Sequence, residues 1–169
     1  MSLLLDDFSE APADIAARWT FFSDRVMGGV SVARVTLGEV DGRTALRLTG
    51  DVSLERNGGF IQMARALVTS AGAPLDARDF TGLQLTTQGT PGSYFVHLRT
   101  TDCRAPWQYY AAPLPVSTAW ETLALPWHEF EPVALREPLD PSRLIRLGVV
   151  AAKVAFRADI AVSRVVLMP

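Results

Sequence analysis

The sequence predicts an all-β fold: an antiparallel β-sandwich of the jelly-roll kind. Three observations predict it. Apolar and polar residues alternate with period two through most segments, which sends successive side chains to opposite faces of a strand. Gly, Pro, Asn or Asp separates those segments, and 11 prolines suit loops and edge strands better than helices. No long helical pattern lies between the strands, so the crossovers of a parallel sheet are not expected.

In chain order, Ala13–Arg18 reads as a helical turn or two. Gly28-Gly29 is followed by a β-like run. Thr44–Leu54 reads as a strand with Leu46 and Leu48 on one face and Arg47 and Thr49 on the other. Asn57-Gly58-Gly59 is a turn, because Asn and Gly tolerate positive φ. Phe60–Leu67 returns as the next strand, and Gly82–Gln88 is another. Ser93–Thr101 alternates cleanly: Tyr94, Val96 and Leu98 face one way, and Phe95, His97 and Arg99 the other. Trp107–Leu114, Trp120–Leu125, Ile145–Val154 and Ile160–Met168 complete the strands. Single helical turns are expected at Pro74–Phe80 and Pro141–Leu144, with Asp76 and Asp140 near their starts. No repeat, linker or shift of composition divides residues 1–169, so one domain is expected.

Composition narrows the function. The formal net charge is −2, which disfavours a general nucleic-acid binder, since such a protein needs a basic surface to displace counterions. The cations are nearly all arginine, with Lys153 the one lysine. Cys103 is the lone cysteine, so no internal disulfide forms, and with His97 and His128 it falls short of a four-ligand zinc site. The start, Met1-Ser2-Leu3-Leu4-Leu5-Asp6-Asp7, lacks the basic region of a signal peptide, and no apolar stretch is long enough to span a bilayer. A cytoplasmic location is the expectation.

Catalytic signatures are missing. There is no G-x-S-x-G elbow and no phosphate loop, and Gly28-Gly29 does not open a helix that would hold a dinucleotide. His97 has no identifiable nucleophile or metal to serve. Cys103, between Asp102 and Arg104, has no assigned base. Asp24, Asp51, Glu55, Glu129 and Glu131 are carboxylates that sequence alone does not pair as a glycosidase requires. No run has a convincing calcium spacing. The expectation is a binding protein rather than an enzyme, with no catalytic residues, no cofactor and no metal.

Three segments are distinctive: Trp19 through Asp24-Arg25-Val26-Met27-Gly28-Gly29-Val30-Ser31; Gly50-Asp51-Val52-Ser53-Leu54 through Asn57-Gly58-Gly59-Phe60 to Arg65; and Tyr94 through Leu98-Arg99-Thr100, followed by Trp107-Gln108-Tyr109-Tyr110. With Trp120 to Leu125-Pro126-Trp127-His128-Glu129-Phe130, they resemble the complex I intermediate-associated protein 30 family over about residues 19–165. The chain departs from that pattern at Ser23, at Gly89-Thr90-Pro91-Gly92 and at Ala152-Lys153 with Ala155-Phe156. The resemblance implies a galactose-binding-domain-like jelly roll. It also implies a role in assembling a protein complex, with respiratory complex I subunits or intermediates as partners. It carries over no catalytic residue.

The candidate ligand- or partner-binding residues are Asp24, Asn57, Arg65, His97, Arg99, Trp107 and Tyr110. Arg99 shares a strand face with His97 and Phe95, a polar-aromatic surface if that face is open. Trp107 and Tyr109 fall on one face of their strand and Tyr110 on the other. Arg65, Arg99 and Tyr110 either line a groove or act as buried ion-pair and hydrogen-bond partners. Asp24 is expected to satisfy backbone donors in its own loop, and Trp19, Met27 and Phe60 to pack in the core or on a sheet. The alternative ligand to a protein partner is a carbohydrate, bound on a polar-aromatic sheet face.

Overall fold

The computed structural model describes residues 1–169. The strands are β1 (Leu3–Asp6), β2 (Trp19–Ser23), β3 (Val32–Val40), β4 (Arg43–Val52), β5 (Phe60–Ala66), β6 (Gly82–Gly89), β7 (Tyr94–Thr100), β8 (Tyr109–Pro113), β9 (Glu121–Pro126), β10 (Glu131–Val133), β11 (Leu144–Ala152) and β12 (Phe156–Met168). One helix, α1 (Pro12–Arg18), precedes β2, with Pro12 in its first turn, where the missing N–H costs nothing. The strands form two antiparallel six-stranded sheets. The first runs β3-β4-β12-β6-β9, and β1 also pairs with β12. The second runs β10-β8-β7-β11-β5-β2.

The alternation dictates the core. Tyr94, Val96 and Leu98 of β7 are buried, while Phe95, His97 and Arg99 are half-buried on the other side. Leu46 and Leu48 of β4 meet them from the first sheet, within one cluster of 30 buried residues. Each Leu- or Phe-sized side chain so buried stabilises the fold by about 1.5–3 kcal/mol. β12 contains a register shift between Val162 and Arg164. The extra residue changes the parity, so Ile160 and Val162 before it and Val165 and Leu167 after it are all buried. β4 lies along the first half of β12, and β1 along the second.

The eight strands expected from alternation are present, with ends moved by up to a few residues. The β-like run after Gly28-Gly29 is β3, and β1, β2 and β10 are additional. The turn at Pro141–Arg143 forms, and the Asp140 carboxylate accepts the Ser142 N–H at 3.0 Å. No helical turn forms over Pro74–Phe80. There Asp76 accepts the Arg78 N–H at 3.1 Å, and Leu75 bridges to Leu144, so local side-chain bonding competes with a helix and wins. Met27 is 66% exposed rather than packed, because it sits in a surface turn after β2. No helix is long and apolar enough to cross a membrane.

Candidate functional site

The outer face of the second sheet carries side chains that the core does not use. Register places Ala64, Gly148, His97 and Ala111 in one row across β5, β11, β7 and β8. Ala66, Arg146 and Arg99 form the next row, and Gln62, Val150 and Phe95 the row on the other side. Directly paired residues point to the same face. The centre is therefore floored by Ala64, Gly148 and Ala111, with longer side chains standing around it.

Those longer groups are ordered by one another. The His97 ring stacks on Tyr109, centroids 4.0 Å apart and planes at 16°. The Arg146 guanidinium carbon lies 4.7 Å from the Phe22 ring centroid, and Lys153 Nζ lies 4.8 Å from that of Phe95. Arg99 donates to the Ala105 carbonyl at 3.3 Å, in the loop that also carries Trp107. Burial, with a smaller contribution from the positive charge of Lys153, pushes the His97 pKa down to about 4. The imidazole is therefore neutral at neutral pH. Burial and the neighbouring Arg99 lower the pKa of Arg146, and burial raises that of the Tyr109 hydroxyl.

The candidate residues do not all meet here. His97 and Arg99 do. Trp107 is 67% exposed in the loop beside Arg99. Arg65 and Tyr110 lie on the opposite side of the sheet, because their Cα partners Leu147 and Leu98 are core residues. Arg65 donates to the Leu5 carbonyl at 3.0 Å, and its Nε stands 3.6 Å from Asp6. The Tyr110 hydroxyl donates to the Glu137 carbonyl at 2.9 Å. A groove shared by Arg65, Arg99 and Tyr110 is thus ruled out by strand parity. Asn57 is exposed in a turn with φ 58°.

Asp24 is fully sequestered from solvent. Its carboxylate accepts the Ser31 N–H at 2.9 Å, the Ser31 hydroxyl, and the Gly59 N–H at 2.6 Å. The Phe60 N–H makes a longer contact at 3.4 Å. Ser31 Oγ in turn accepts the Ser53 N–H at 2.8 Å. Burial alone would raise the carboxyl pKa, but these donors outweigh it and hold the pKa below the ordinary 3.8. A side chain on Gly29 or Gly58 would run into this carboxylate, so glycine there is a matter of space. Asp24, Ser31, Gly29, Gly58 and Gly59 form one structural clamp between two loops, and the first two distinctive segments exist to build it.

Asp6 is a second buried carboxylate, at the end of β1. Its buried carboxylate accepts the Trp19 indole N–H at 2.8 Å, Arg18 at 3.2 Å and the Phe8 N–H at 3.0 Å. An acid closing the apolar run Leu3-Leu4-Leu5 is the one local hint, and it names none of these partners.

Comparison with known proteins matches this architecture. A family 11 carbohydrate-binding module of a Clostridium thermocellum cellulosomal cellulase superposes with TM-score 0.76 at 12% identity, covering 99% of this chain and 94% of that one. A family 30 module from the same organism gives 0.56 at 14% identity, covering 81% and 82%. An exo-beta-agarase gives 0.62 at 9% identity, covering 99% of this chain and 25% of that one. Identities this low show the shared jelly-roll, galactose-binding-like fold and nothing finer. No curated protein matches the sequence. The model of the complex I intermediate-associated protein 30 family matches residues 7–158, which is most of the length, and the chain belongs to that family.

Proposed function

We propose that this protein is a non-catalytic binding module that recognises a protein partner during assembly of a complex. Respiratory complex I subunits or their intermediates are the partner class its family's name suggests. The observation that carries the reading is the outer face of the second sheet. His97, Arg99, Arg146, Gln62 and Tyr109 stand there on a rigid sheet, are not needed by the core, and include no nucleophile paired with a base. Exposed apolar side chains of the clamp loops, Val26, Met27 and Leu54, add surface suited to a protein neighbour. Tagged protein purified from its native host is expected to bring down defined complex subunits, and deletion of its gene to slow assembly of that complex. Recovery of no partner, together with normal assembly in the deletion strain, would sink the proposal.

The fold supports a second reading, carbohydrate binding, because the solved structures it resembles include carbohydrate-binding modules. Trp107, exposed beside Arg99, is the aromatic most available to a sugar ring. A glycan array probed with the wild type and Trp107→Ala decides it: signal that the substitution removes supports the reading, and no signal above background ends it.

A further inference from the structure

We propose that the outer face of the second sheet receives a run of carboxylates, an acidic segment of the partner, gripped by the Arg99–Arg146 pair with Lys153 at the far end; this inference rests on the partner-recognition reading above.

Arg99 and Arg146 are register partners on adjacent strands, so one row of the face carries two cations, the Arg146 guanidinium resting on Phe22 towards one edge and Arg99 reaching the Ala105 carbonyl towards the other. Arg99 and Arg146 are among the arginines with no carboxylate within 4.0 Å, unlike Arg65 of the same sheet, which stands beside Asp6. Arg99 Nε is buried with no hydrogen-bond partner in the protein. A buried donor without a partner carries a desolvation cost, which an arriving acceptor offsets.

The rest of the face carries the same sign. The outward positions of β5, β11, β7 and β8 contain no Asp or Glu, and Glu131 on the edge strand β10 is the only acid at an outward position of the sheet. This surplus of cations stands on a protein whose net charge is −2. Neutral His97 adds no charge, and Lys153 is one reason it stays neutral.

One feature favours a polypeptide over an acidic sugar chain. Phe22, Phe95 and His97 each have a ring face already covered, by Arg146, Lys153 and Tyr109, so none offers a bare platform for a pyranose. Those contacts instead hold the cations in place, which lowers the ordering cost when carboxylates arrive. Side-chain carboxylates of a polypeptide crossing this face match the planar forks of the arginines.

The test uses the full chain and a fluorescein-labelled oligoglutamate peptide, read by anisotropy at low salt. Oligolysine and oligogalacturonate are run in parallel. The wild type is expected to bind oligoglutamate and not oligolysine, with affinity falling as salt is raised. Amide shifts on titration should map to β5, β7 and β11. The double variant Arg99→Gln/Arg146→Gln should bind about tenfold more weakly or worse, and Arg164→Gln, exposed on the other sheet, should bind as the wild type does. Should the double variant prove unfolded by its melting curve, the salt dependence and shift map of the wild type stand as the test.

Absence of oligoglutamate binding, or shifts confined to other surfaces, overturns the proposal. So does tight binding of oligogalacturonate alone, which would make the ligand an anionic glycan. Recovery of the same host partner by wild type and folded double variant overturns this inference while leaving partner recognition standing. Failure of the wild type to recover any partner overturns the broader reading instead.

Discussion

Asp24 carries a full charge in a place that water does not reach, and three backbone or hydroxyl donors from two separate loops make that tolerable. Removing the carboxylate strands the Ser31 and Gly59 N–H groups. Asp24→Ala should cost about 3 kcal/mol or more, measured as a drop in unfolding free energy in urea. Its folded-state pKa lies below 3.8, so its contribution is complete well above that value and is lost as pH falls through the folded-state pKa. Asp24→Asn should therefore flatten the acid limb of the stability profile below about pH 4 relative to the wild type. His97 acts over a different window. It is neutral in the fold down to about pH 4, whereas an unfolded histidine protonates near 6.5. Stability is full above 6.5 and falls as pH drops toward about 4, by roughly 1–3 kcal/mol. The profile of His97→Gln should lose that fall, and an unchanged slope between those limits would contradict the burial assigned to the ring. The binding of Asp24 to its own loop was readable from Asp-x-Val-Met-Gly-Gly-x-Ser. Its grip on Gly59 was not, because nothing local links residues that far apart in the chain.

Among elements, the N-terminal strand depends most on a single residue. β1 has four residues and pairs only with β12. Asp6 at its end ties it to Trp19 of β2 and stands beside Arg65 of β5, so one carboxylate joins elements from both sheets. Asp6→Ala should release β1: amide exchange at Leu3–Leu5 is expected to rise by an order of magnitude or more while β7 and β11 stay protected. Equal protection in wild type and variant would show that strand pairing alone secures β1. The same contrast explains what sequence could and could not show. β7, β4 and β6 alternate because one face is core and the other is not, so their period was visible. β2 reads Trp19-Thr20-Phe21-Phe22, with Phe21 55% exposed at the sheet edge, and the apolar run blurs its period. β3 alternates exposed with half-buried positions and includes Gly38, so its amplitude is weak. β10 has three residues, too few for any period. The outer face of the second sheet was half visible: Phe95, His97 and Arg99 follow from one strand's parity. Arg146, Phe22 and Gln62 come from neighbours that only register identifies, and the same ignorance of facing directions grouped Arg65 and Tyr110 with Arg99.

For the molecule as a whole, the charge is unevenly spread. On the first sheet Arg47 is matched by Asp159 in a two-pronged pair at 2.8 and 2.6 Å. The second sheet leaves its pair unmatched. A protein with a slightly negative total can thus present one positive side and turn it toward a negative partner as the two approach, an effect that salt weakens. The pairing of β1 with β12, Leu3 opposite Leu167 and Leu4 opposite Val166, has a practical corollary. It brings the two chain ends to within about one strand spacing of each other, roughly 5 Å at the paired residues. A short glycine bridge from Pro169 to Met1 should therefore close the backbone into a ring, which can be reopened at the exposed turn around Gly72. The rearranged chain is expected to melt within a few degrees of the original, and a product that stays unfolded would mean the order in which the strands are made matters as much as the contacts they end with.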